Sequence, residues 1–72
     1  MKAIRYSKDA MERVQGKRKA AGLSQNQLAD LLGISQRTYR LWVSRGITTM
    51  AEYQLNRAIN QFLEEKKAAN PR

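Results

Sequence analysis

The sequence predicts an all-α fold, a small bundle of four helices and at most five. Three observations predict it. The only glycines are Gly16, Gly22, Gly33 and Gly46, and the only proline is Pro71. Apolar residues between these breaks recur at helical rather than strand spacing. Cap patterns stand before the apolar runs, where helices begin. No segment reads as a strand.

Ser7 is positioned to cap a first helix. Asp9 and Glu12 follow in its early turns, where the helix dipole favours acids. Tyr6 and Met11 have the spacing of a hydrophobic staple. Met11, Val14, Arg18 and Ala21 share one face, with Arg18 offering its methylene stem. Gly16 weakens the helix from within, and Gly22 ends it. Ser24-Gln25-Asn26-Gln27 is a capping-box pattern, so a second helix opens at Gln25. Leu28, Ala29 and Leu32 form its inner face.

Gly33 stops the second helix, and Ile34 plugs the turn. Ser35 caps a third helix from Gln36 to about Val43, with Tyr39, Trp42 and Val43 inward. After a turn at Ser44-Arg45-Gly46, Thr49-Met50-Ala51-Glu52 reads as another capping box. A last helix then runs from Met50 to about Ala68. Its stripe is Ala51, Leu55, Ala58, Ile59 and Phe62. The chain reads as one domain over residues 1–72, with frayed ends at about 1–5 and 69–72.

Bulk composition narrows the function. The chain has 72 residues, no cysteine and no histidine. Disulfides and thiolate metal sites are thereby excluded, and the commonest general base is missing. Six carboxylates and a small core offer no catalytic constellation, so no enzyme, cofactor or metal is expected. No pocket for a small-molecule ligand is expected either. No run reaches the ~18 apolar residues of a membrane span. The basic N-terminus lacks the apolar core of a signal peptide. A cytoplasmic location without membrane contact is the expectation.

The formal net charge is +8, and the pI is about 10.5. Such a value in a small domain prompts a search for a nucleic-acid footprint. The charge is uneven. Residues 1–20 carry seven Lys or Arg against Asp9 and Glu12, and residues 21–45 set three arginines against Asp30 alone. The third helix opens with Gln36, Arg37, Thr38 and Arg40 and contains no carboxylate.

Two short helices joined by a glycine turn make a helix-turn-helix over residues 25–44. Ala29 is small where the helices would cross, and Gly33 permits the positive φ of a sharp turn. The stretch "GLSQNQLADLLGISQRTYRLWVSRG" resembles the helix-turn-helix of the Cro/C1-type (XRE-like) repressor family. Gln25, Ala29, Gly33-Ile34-Ser35 and Trp42 carry the likeness, which spans about residues 10–65 with the flanking helices. It implies a lambda-repressor-like bundle. The small size is also similar to phage-type regulators, including those that accompany anti-CRISPR genes. Three features depart from the family pattern. Tyr39 stands where valine or isoleucine is usual. Val43 replaces a glutamate that often pairs with an arginine on the first helix, so Arg18 is expected to be free for a phosphate. The proline before the next helix is missing.

In this fold the N-terminal part of the second motif helix enters the major groove of double-stranded DNA. Arginine suits the guanine acceptors and glutamine suits adenine, so Gln36, Arg37 and Arg40 are the expected base contacts. Leu41 is expected against a thymine methyl or at the groove edge. Backbone contacts are expected from Lys17, Arg18, Lys19, Ser35, Thr38, Ser44 and Arg45. Gln25 is expected either to reach a phosphate or, as the resemblance implies, to brace Gln36. One recognition helix covers few base pairs, so a homodimer on a palindromic operator is expected. Ile47, Met50, Tyr53 and Leu63 are its candidate interface. The resulting expectation is a transcriptional regulator, a repressor that acts by steric block; autoregulation is what the resemblance adds. The alternative is the DNA-binding antitoxin of a toxin–antitoxin pair, which would also hold a protein partner.

Overall fold

The computed structural model describes residues 5–68. Apart from Arg5, the ends expected to fray lie outside the described residues. Four helices follow one another: α1 (Lys8–Ala21), α2 (Gln25–Leu32), α3 (Gln36–Arg45) and α4 (Thr49–Ala68). Both α3 and α4 pack on α1 and α2.

Caps set the boundaries. The Ser7 hydroxyl accepts from the Ala10 amide at 3.0 Å and starts α1. Ser24 and Gln27 form the reciprocal capping box, with Ser24 N–H donating to Gln27 Oε1 at 2.9 Å and Gln27 N–H to Ser24 Oγ at 3.0 Å. Each bond satisfies an amide that the first helical turn leaves without a partner. Ser35 Oγ accepts from the Thr38 amide at 3.1 Å and starts α3.

Two boundaries differ from the sequence expectation. Helix α3 continues through Arg45, because the Gly46 amide bonds Trp42 O at 2.8 Å and completes a further turn. Helix α4 is capped by Thr48 rather than Thr49, with the Ala51 amide donating to Thr48 Oγ1 at 3.1 Å. That shift frees the Glu52 carboxylate from capping. It accepts instead from Arg13 Nε at 3.1 Å and Nη2 at 3.3 Å, joining α4 to α1.

The core gathers Met11 and Val14 of α1, Leu28 and Ala29 of α2, Tyr39 of α3, and Leu55 and Ile59 of α4, with Ile47 from the loop. Ile34 and Trp42 pack against it while only partly buried. Val43 does not face inward; it is exposed. One step along a helix turns about 100°, which carries Val43 round from Trp42 to the flank. Tyr6, at the position before the cap, is 43% exposed, while Met11 is 2% exposed.

One long-range connection has no signature in the periodicity. Ser7 and Ile47 form an isolated antiparallel bridge. Ser7 N–H donates to Ile47 O at 2.8 Å, and Ile47 N–H donates to Ser7 O at 3.1 Å. Ile47 is consequently 1% exposed. It is a core residue and cannot belong to a dimer interface, which corrects that expectation.

Candidate nucleic-acid interface

The face of α3 is built by its two ends. At its start, Ser35 fixes the turn and aims the first helical residues outward. Gln36, Arg37 and Arg40 are exposed, and Leu41 is 51% exposed. On the far side Tyr39 is 1% exposed and anchors the helix. The first turn of α3 has no acidic residue. Its outer surface therefore combines amides, guanidiniums and the positive end of a helix dipole.

Thr38 is half-buried beside this face. Its Oγ1 accepts a hydrogen bond from Ser35 Oγ at 3.0 Å. Ser35 thus spends its hydroxyl proton on Thr38, while Thr38 keeps its own proton to donate outward. Ser35 and Ser44 are exposed, and Gln25 is half-buried. No hydrogen bond joins Gln25 to Gln36 among the described residues. On α1, Lys17 and Lys19 are exposed in and beside the last turn.

Arg18 is a correction. It is 8% exposed. Its Nη1 donates to the Leu23 carbonyl at 2.7 Å and its Nε to Gln15 Oε1 at 2.9 Å. The same Gln15 oxygen accepts from the Tyr39 hydroxyl at 2.8 Å. With valine at position 43, the arginine is held by a neutral amide and a carbonyl in place of a carboxylate. It ties α1 to the following turn and does not stand free for a phosphate. Gln15 is the residue that sequence reasoning missed. Its signal was indirect: a buried arginine and a buried phenol one helix apart both require a hydrogen-bond acceptor. Burial raises the Tyr39 phenol above its ordinary pKa, and the charge of nearby Arg18 opposes the shift.

At the other end of α3, Arg45 is half-buried. Its guanidinium carbon lies 3.8 Å from the centroid of the Tyr6 ring. Arg45 Nε is buried without a hydrogen-bond partner.

The candidate dimer residues divide. Met50 is 65% exposed and Tyr53 60% exposed. They line a groove with Leu31, which is 49% exposed and was not singled out from the sequence. Leu63 is exposed too, but thirteen residues of helix place it about 140° round α4 from Met50. Leu63 and Met50 cannot share one flat interface on a straight helix.

The two short helices, their glycine turn and the acid-free outer face define a helix-turn-helix protein of the DNA-binding class. A helix-turn-helix family model matches residues 15–51, just over half of the chain. The chain belongs to the Cro/C1-type (XRE-like) helix-turn-helix family of DNA-binding transcription regulators. No curated protein and no solved structure matches it. Among the described residues, no helix is long and apolar enough to cross a membrane.

Proposed function

We propose that this regulator is a repressor that occupies a palindromic operator as a homodimer and blocks transcription sterically. The observation that carries the reading is the exposed, acid-free face of α3. Gln36, Arg37 and Arg40 present the side chains that pair in bidentate geometry with adenine and guanine edges. Leu41 lies at the rim of that face, where it meets a thymine methyl or the groove edge.

Lys17, Lys19, Ser35, Thr38, Ser44, Gln25 and Arg45 surround the reading face and take the phosphates. These contacts fix register and supply the salt-sensitive part of affinity. The second copy docks on the groove formed by Leu31, Met50 and Tyr53, away from the bases. A two-fold pair then reads half-sites about 34 Å apart.

The test is selection from a random pool of short duplexes at physiological salt, with excess non-specific competitor. An enriched palindrome supports a dimeric, sequence-specific regulator. No enrichment, with binding that vanishes as salt rises, overturns direct readout and leaves only charge. A second protein that co-purifies stoichiometrically from the native host would favour the antitoxin reading.

A further inference from the structure

We infer that Tyr6 is a positioning residue for DNA binding, holding the Arg45 guanidinium ready for a backbone phosphate. The inference rests on the DNA-binding reading above and adds to it a residue outside the helix-turn-helix.

Three features meet at this point. The antiparallel bridge between Ser7 and Ile47 brings the segment before α1 alongside the end of α3. Gly46 permits the approach, since a Cβ there would stand 2.7 Å from the Ser7 carbonyl carbon. The bridge thereby sets the Tyr6 ring beneath Arg45, 3.8 Å from guanidinium carbon to ring centroid. Arg45 is the last residue of α3.

Helix geometry places Arg45 at the flank of the reading face. It follows Leu41 by four positions, one turn further along the same edge. When the centre of a recognition helix faces base edges, its flanks face the phosphate walls of the groove. Among the described residues, the guanidinium makes no hydrogen bond and no ion pair. Its Nε is enclosed, so a phosphate would meet the terminal nitrogens.

The stack matters because a free arginine side chain is mobile. Ordering it on binding costs entropy, and a guanidinium already held against a ring loses less. An aromatic face holds the cation without using any of its N–H donors. An acidic partner would hold it too, but would cancel the charge that a phosphate needs.

The experiment measures affinity for one fixed duplex, the best sequence from the pool, across a salt series. Wild type is compared with Tyr6→Ala, Tyr6→Phe, Arg45→Gln and the double variant Tyr6→Ala/Arg45→Gln. Thermal melts of each variant identify any loss of folding. Arg45→Gln should weaken binding and lower the salt slope by about one unit, the signature of one lost phosphate contact. Tyr6→Ala should weaken binding about two- to fivefold, the scale of an exposed cation–π contact. Tyr6→Phe should restore wild-type affinity, because the ring and not the hydroxyl holds Arg45. In the double variant the Tyr6 loss should vanish. Equal effects of Tyr6→Ala and Tyr6→Phe would overturn the inference, as would losses that simply multiply. An unchanged slope for Arg45→Gln would overturn it as well and leave the DNA reading intact. A wild-type chain that binds no duplex would remove both.

Discussion

The Tyr39 hydroxyl donates to Gln15 Oε1 at 2.8 Å and so ties the middle of α3 to α1. Arg18 Nε reaches the same oxygen at 2.9 Å. One amide therefore satisfies a phenol on α3 and a buried guanidinium on α1. Tyr39→Phe removes one neutral hydrogen bond and leaves Gln15 bonded to Arg18, so it should cost about 1 kcal/mol of stability. Arg18→Met should cost more, about 1–3 kcal/mol, because it leaves the Leu23 carbonyl without its donor. Urea unfolding measures both. The salt slope of DNA binding should not change in Arg18→Met. A normal stability with a reduced slope would return Arg18 to the phosphate contacts.

The same phenol predicts a pH dependence. Burial raises the Tyr39 pKa in the folded chain above its unfolded value, which is about 10. Below that unfolded value both states are protonated and the stabilisation is complete. As pH rises through the raised folded value, the unfolded state gains by ionising first and the stabilisation is lost. Stability should therefore fall above about pH 10, and more steeply in wild type than in Tyr39→Phe. Every other group is common to the two chains, so the difference between the two melting curves is the informative quantity. Identical curves would show that this phenol ionises freely.

Local signals in the sequence read well because they need only neighbouring residues. Ser24 and Gln27 form their capping box from four consecutive positions, and the apolar stripe of α4 is visible within its own helix. Long-range pairings were illegible for the opposite reason. Nothing at Ile47 announces that it bonds Ser7 forty positions earlier, so an apolar residue in a loop read as a spare interface. Arg18 was misjudged because its family partner is missing, while the substitute, Gln15, is a common surface residue. On the outer face of α3, residue types and exposure could be foreseen from the helix period. The Tyr6–Arg45 stack could not, since it depends on that bridge.

Gly46 lies where any other residue is strained. Its φ is 104° and its ψ 177°, a region that is essentially glycine-only. A Cβ would also stand 2.8 Å from the Ser7 carbonyl oxygen. Both atoms of that contact are held by backbone, so neither yields cheaply. Gly46→Ala should destabilise the chain by at least about 2 kcal/mol. Hydrogen exchange should show faster exchange at the Ile47 amide, which bonds Ser7. A variant as stable as wild type, with Ile47 still protected, would mean that the bridge is not rigid.

Base reading and phosphate holding are separable by substitution. Arg37 is exposed at the second position of α3, whereas Lys19 is exposed near the end of α1. Arg37→Ala should cost about 1–3 kcal/mol on the best site and relax preference at one base position. Lys19→Ala should weaken all duplexes alike and lower the salt slope by about one unit. Binding to the selected site and to its single-base variants distinguishes the two. If both substitutions acted alike on every sequence, Arg37 would be another phosphate contact.

The groove that Leu31, Met50 and Tyr53 share with Gln54, Arg57 and Gln61 supports a further separation, between folding and assembly. Leu31, Met50 and Tyr53 are each about half exposed or more, so the fold itself gains little from their outer surfaces. Buried in a second copy, each would contribute roughly 1–2 kcal/mol of apolar transfer. Tyr53→Glu should therefore leave the thermal melt of the dilute monomer unchanged. It should abolish dimers in sedimentation, because each copy would bring a desolvated carboxylate to the same two-fold contact. On DNA the variant should lose the cooperative occupation of a palindrome while keeping its affinity for one half-site. Leu63→Glu is the matched control, since it lies almost three turns along α4 from Tyr53 and about 80° round it, outside that groove, and should leave assembly intact. Sensitivity to Leu63→Glu with tolerance of Tyr53→Glu would move the interface along α4 to Leu63.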